Sequence, residues 1–90
     1  MKHLSIKISG KVQGVFFRAS TKEIAEKLGV NGFVRNEKDG SVYMEAEGED
    51  EKLKTFVEWC YHGPKHAQVD HVNMEEGSLK GFTKFEMRRL

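Results

Sequence analysis

Leu4, Ile6 and Ile8 alternate with Ser5 and Lys7, the two-residue period of a strand with one buried face. Val12 keeps the same parity, but Gly10 and Gly14 interrupt the strand chemistry. From Phe17 the period lengthens. Phe17, Thr21, Ile24, Ala25 and Leu28 recur at helical spacing, Lys22, Glu23, Glu26 and Lys27 are left for solvent, and Gly29 is suited to close the helix. Gly32 to Asn36 predicts a second strand. Asp39-Gly40 marks a hairpin turn, and Val42, Met44 and Ala46 alternate with Tyr43, Glu45 and Glu47 in a third strand. Gly48 ends that strand. Asp50 is expected to cap a second helix, with Glu49 and Glu51 near its positive end and Leu53, Phe56, Val57 and Cys60 as its buried stripe. Gly63-Pro64 stops it. Ala67 and Val69 have one parity and Val72 and Met74 the other, so a fourth strand needs a bulge near Asp70-His71 to bring them to one face. Phe85 and Met87 predict a short tail strand.

The order β-α-β-β-α-β plus a tail predicts an α+β, ferredoxin-like sandwich: one antiparallel sheet with two helices on one face. Ninety residues hold one domain, read as residues 1–90, with one core and no internal repeat or linker. A hydrophobic fraction of 38% against 32% charged residues separates the chain from disordered sequences. Fifteen Lys and Arg against fourteen Asp and Glu leave a net charge of +1, which removes any bulk electrostatic reason to expect a nucleic-acid or membrane-surface partner. No apolar run approaches the roughly 20 residues of a membrane helix, and the alternating start is unlike a signal peptide. One cysteine, Cys60, excludes an intrachain disulfide and fits a cytoplasmic setting.

With so little net charge, any affinity for an anion must be built locally. Gly10-Lys11-Val12-Gln13-Gly14-Val15-Phe16-Phe17-Arg18 joins a strand to a helix N-terminus. Glycines that permit positive φ let successive N–H groups converge on an anion, and the unpaired N–H groups of the helix add to them. Arg18 stands where its planar fork can meet phosphate oxygens. On spacing alone the same residues also read as a plain βα turn with a surface arginine, and Asn36 as an ordinary turn asparagine; both readings stand at this level. The spacing of His3, His62, His66 and His71 fits no metal pattern, so surface histidines are expected. Cys60 is read as a buried, inert thiol and Trp59 as packing.

Ile8 to Arg18 resembles the first signature of the acylphosphatase family at every position. Gly32-Phe33-Val34-Arg35-Asn36 with Gly40, Val42 and Gly48 resembles the second, at the same spacings. The Gly63-Pro64 stop and the Ala67/Val69/Val72 pattern extend the resemblance over nearly the whole chain. It implies a main strand order of 4-1-3-2. It also implies hydrolysis of acyl phosphates to a carboxylate and inorganic phosphate, without metal, cofactor or covalent intermediate. Arg18 corresponds to the family's phosphate-binding arginine and Asn36 to its water-orienting asparagine. Gln13, Gly14, Val15, Phe16 and Phe17 supply the backbone cradle. The implied partners are a small acyl phosphate and inorganic phosphate, as product and inhibitor, with the chain a monomer. Two other readings stay open: a non-enzymatic small-ligand or RNA-binding module on the same fold, and an accessory domain of carbamoyl-phosphate chemistry.

Overall fold

Strand β1 (Lys2–Lys11) turns Leu4, Ile6 and Ile8 to one face, and Ile6 and Ile8 keep no exposed surface. The computed structural model describes residues 1–89, in which β1 is followed by α1 (Phe17–Leu28), β2 (Asn31–Asn36), β3 (Val42–Gly48), α2 (Asp50–Cys60), β4 (Gln68–Gly77) and β5 (Phe85–Arg88). The sheet order is β4-β1-β3-β2-β5, so the expected 4-1-3-2 arrangement stands with the tail strand added at the far edge. Val42, Met44 and Ala46 of β3 share a fully buried face with Val34 of β2. Ala25 of α1 and Leu53, Phe56 and Cys60 of α2 close the core over them.

The bulge falls where the parity change requires it. Ser9 pairs with His71 and Gly10 with Val69, so Asp70 is the extra residue. The backbones come so close there that a Cβ on Gly10 would lie 2.2 Å from the Gln68 carbonyl oxygen. At α2 the expectation is corrected by one residue. Glu49, extended at φ −66° and ψ 148°, occupies the cap position without a side-chain bond, and Asp50 is the first helical residue. Asp50 instead faces Lys2 at 3.8 Å.

The sheet is not wholly antiparallel. The β1–β3, β1–β4 and β2–β3 pairs are, but β5 runs parallel to β2. Residues 78–84 explain this. They leave β4 at one edge, cross the sheet face opposite the helices, and deliver the chain to the other edge running opposite to β4. The strap is fastened from below by Glu47, whose carboxylate accepts the N–H groups of Lys80, Gly81 and Phe82. His3 Nδ1 lies 2.7 Å from Glu47 Oε2 and its Nε2 3.2 Å from Glu45 Oε1, while Lys80 Nζ reaches Glu45 at 2.7 Å. Phe82 stacks on His3 and meets Phe33 edge-on. His3 and Glu47 are each only 2% exposed, so His3 is not the surface histidine expected from the sequence; His62, His66 and His71 are exposed.

Burial by itself would raise the Glu47 carboxyl pKa. The N–H groups of Lys80, Phe82 and Gly81 and the His3 ring outweigh it and hold the group below its ordinary value. Glu47→Ala strips acceptors from these donors and is expected to destabilise the fold by about 2–4 kcal/mol, a fall in Tm of roughly 10–25 °C. Glu47→Gln keeps the shape and removes the charge. Because the folded pKa is depressed, the advantage of wild type over Glu47→Gln is complete above the ordinary carboxyl pKa of about 4.3 and is lost as pH falls through the lower folded value. Chemical denaturation of both proteins between pH 7 and 3 should show the gap narrowing only at the acid end. A gap constant over that range would remove Glu47 from this role.

Candidate active site

Between β1 and α1 the loop is anchored by Val12 and Val15, which are 1% and 8% exposed. Gly14 takes φ 74° in open space, so conformation and not crowding calls for glycine there. Phe16, at φ 62° and ψ 25°, is also left-handed, the one non-glycine among the described residues with positive φ. Left-handed residues placed between ordinary ones turn successive N–H groups toward a common point. Phe16 also precedes the first helical residue of α1, where no side chain caps the helix and no acidic residue lies in the first turn. The first intrahelical bond runs from Ser20 N–H to Phe16 O at 3.0 Å. The N–H groups of Phe17, Arg18 and Ala19 therefore lie ahead of that ladder, at the positive end of the helix dipole.

A cleft of about 270 Å³ opens over this point, lined by Gly14, Phe16, Phe17, Arg18 and Asn36 among the residues expected from the sequence. Arg18 donates from Nη1 to the Arg88 carbonyl at 3.2 Å, which ties its guanidinium to β5 while it lines the cleft. Asn36 is the last residue of β2. Its backbone is registered against Val42 of β3, so the side chain is positioned by the sheet and not by a mobile turn. Phe17 is 2% exposed and packs on Trp59 at 5.5 Å between ring centroids, which gives the helix start a rigid backing from α2. Trp59 is thus packing, as expected.

Of the residues expected to give the cradle its backbone N–H groups, Gln13 and Val15 are not among the described lining, and their side chains turn elsewhere. Val15 points into the core. Gln13 directs its amide away: Nε2 donates to Glu37 O at 2.8 Å and to Ser41 O at 2.9 Å. It therefore clamps the loop to the hairpin that follows Asn36, holding the Arg18 and Asn36 elements together. Sequence reasoning missed Val12, Ala19 and Met87, which complete the lining. The parity of Val12 and Met87 was visible, but their meeting at one cleft depends on β5 pairing with β2 through Val34↔Met87, a contact between distant segments.

The chemistry this arrangement permits is anion binding by backbone dipoles and one guanidinium, with a neutral amide alongside. Among the described residues, no carboxylate, histidine or cysteine lines the cleft, and no group of three or more His, Cys, Asp or Glu is placed to hold a metal ion. Cys60 lies elsewhere, fully buried with Sγ 3.8 Å from Met44 Sδ, and burial pushes its thiol up to about 12. At neutral pH it is protonated and unreactive.

The family model for acylphosphatase matches residues 4–87, which include the whole loop, Arg18, Asn36 and Met87. An acylphosphatase of Rubrobacter xylanophilus is 49% identical over 88 residues, covering 97% of this chain and 80% of that protein. One of Marinobacter nauticus is 51% identical over 79 residues, covering 87% of this chain and 86% of its own. Among solved structures, the acylphosphatase from Bacillus subtilis superposes with a TM-score of 0.95 at 35% identity, covering 98% of this chain and 99% of that one. A strand-loop-helix turn with an arginine at the helix start and an asparagine at the end of β2 thus occur in a chain that, over nearly its full length, belongs to the acylphosphatase family.

Proposed function

We propose that this chain hydrolyses acyl phosphates to a carboxylate and inorganic phosphate, with Arg18 and the loop N–H groups binding the phosphoryl group and Asn36 orienting the attacking water. The observation that carries this reading is the meeting of Arg18 and Asn36 in one cleft at an uncapped helix start. Phosphoryl transfer passes through a loose transition state whose charge spreads over three equatorial oxygens, so positioned donors do most of the work. Arg18 and the N–H groups of residues 14–19 are the donors available for those oxygens. A water hydrogen-bonded to the Asn36 amide attacks phosphorus in line as the bond to the acyl oxygen breaks and its electron pair leaves with the carboxylate. An amide is no base at neutral pH, so the water's proton passes to a phosphoryl oxygen of the substrate. A carboxylate leaves without protonation, which suits a cleft with no acid among its described lining residues.

Inorganic phosphate occupies the same cradle as product and competes with substrate. The chain acts as a monomer, and the buried Cys60 suits the reducing cytoplasm; no helix among the described residues is long and apolar enough to cross a membrane. The RNA-binding alternative has less support. Such modules stack bases on aromatic residues of an open sheet face, whereas here residues 78–84 cross that face and Phe33 is only 4% exposed.

The test compares leaving groups, with chelator present. Acetyl phosphate should be hydrolysed, while ethyl phosphate, whose alkoxide needs an acid to leave, should react at least about a thousandfold more slowly. Equal rates on the two would show that a general acid operates and that this mechanism is wrong.

A further inference from the structure

Phe16 joins two properties that packing does not explain. Its backbone is left-handed, a conformation that costs a residue with a Cβ free energy which glycine escapes, and its ring is 80% exposed. Folding gains almost nothing from that ring. Met87, on β5, is 49% exposed, and both residues line the cleft that holds Arg18 and Asn36. Exposed apolar side chains scattered singly need no explanation. Two at the mouth of one concave site, one of them on a strained backbone, do.

The polar lining is already committed. Among the described residues that line the cleft, Arg18 is the only cation and Asn36 the only side-chain amide. If they serve the phosphoryl group and the water, no charged side chain among the described lining residues is left to pair with a second carboxylate on the acyl portion of a substrate. We propose that Phe16 and Met87 form the acyl-group subsite, and that the substrates favoured are monoacyl phosphates whose acyl portion is apolar. This rests on the reading of the cradle as the phosphoryl site. An alkyl or aryl tail leaving the carbonyl would lie between the ring and the thioether, both of which adapt to apolar surface without needing hydrogen bonds. Binding that tail covers the phenyl surface that folding leaves wet. A tail bearing a carboxylate would be desolvated there without a partner.

Straight-chain alkanoyl phosphates test this cleanly, because their leaving carboxylates have nearly equal basicity and only the tail changes. From acetyl through butyryl to hexanoyl phosphate, kcat/KM of wild type should rise by about tenfold or more, the effect of a few partly buried methylenes. Succinyl phosphate should fall below butyryl phosphate. In Phe16→Ala, and more fully in Phe16→Ala/Met87→Ala, the hexanoyl-to-acetyl ratio should collapse toward one. Any effect on the shared phosphoryl chemistry cancels in that ratio, and the exposed ring of Phe16 makes the single variant safe for folding. A flat series in wild type, or a rise that survives both variants, overturns the subsite while leaving the phosphoryl site intact. Failure of wild type to hydrolyse any member of the series would bring down the underlying reading of the cradle, and the subsite with it.

Discussion

Arg18→Ala is expected to raise the dissociation constant of inorganic phosphate by about 10- to 150-fold, the loss of 1.5–3 kcal/mol that accompanies one charge-assisted pair. The loop N–H groups remain, so binding weakens without disappearing. KM for an acyl phosphate should rise in parallel, and kcat should fall as well, because the guanidinium also faces charge that grows on the equatorial oxygens. Arg18→Lys should recover little. An ammonium keeps the charge but loses the planar fork, and it must find its own route to the Arg88 carbonyl that now holds Nη1 at 3.2 Å. Substrate titrations with phosphate as competitor measure both variants. Wild-type phosphate inhibition in Arg18→Ala would leave the cradle without its arginine.

Asn36→Ala should behave differently. On the proposed division of roles the amide serves the water and not the phosphoryl oxygens, so its removal should leave ground-state binding in place and lower kcat by about 10²–10³-fold, the range seen when one positioned donor is deleted from a reaction centre. The fold should not suffer, because Asn36 joins β3 through its backbone, in register with Val42. Rapid-quench turnover of an acyl phosphate, alongside steady-state KM, separates the two quantities. A normal kcat with a raised KM would make Asn36 a phosphate ligand.

The parts of this molecule that were legible in the sequence are those built from local periodicity. Leu4, Ile6 and Ile8 define the buried face of β1, and the parity clash between Val69 and Val72 located the bulge at Asp70 within a residue. Arg18 and Asn36 were singled out through motif resemblance, and both line the cleft; their spacing alone favoured a surface arginine and a turn asparagine. What escaped was long-range. Glu45 and Glu47 alternate with apolar residues as solvent-facing positions should, and only the strap some thirty residues later buries them with His3. Residues 78–84 have no period to announce that crossing. Gln13 entered the cradle through the motif resemblance for its backbone N–H; the reach of its side-chain amide to the hairpin at Glu37 and Ser41 had no signal in the sequence. Phe16 was placed in the cradle by the motif, but its left-handed backbone and exposed ring were not legible: a left-handed phenylalanine contradicts its own propensity, and such conflicts concentrate at functional sites.

The most direct test of how labour is divided in the cleft is calorimetric titration of inorganic phosphate into wild type, Arg18→Ala and Asn36→Ala in one buffer at one ionic strength. Asn36→Ala should bind phosphate within about twofold of wild type despite its lost turnover, while Arg18→Ala should bind at least about tenfold more weakly. The opposite pattern, with phosphate affinity lost in Asn36→Ala and kept in Arg18→Ala, would contradict the assignment of both residues.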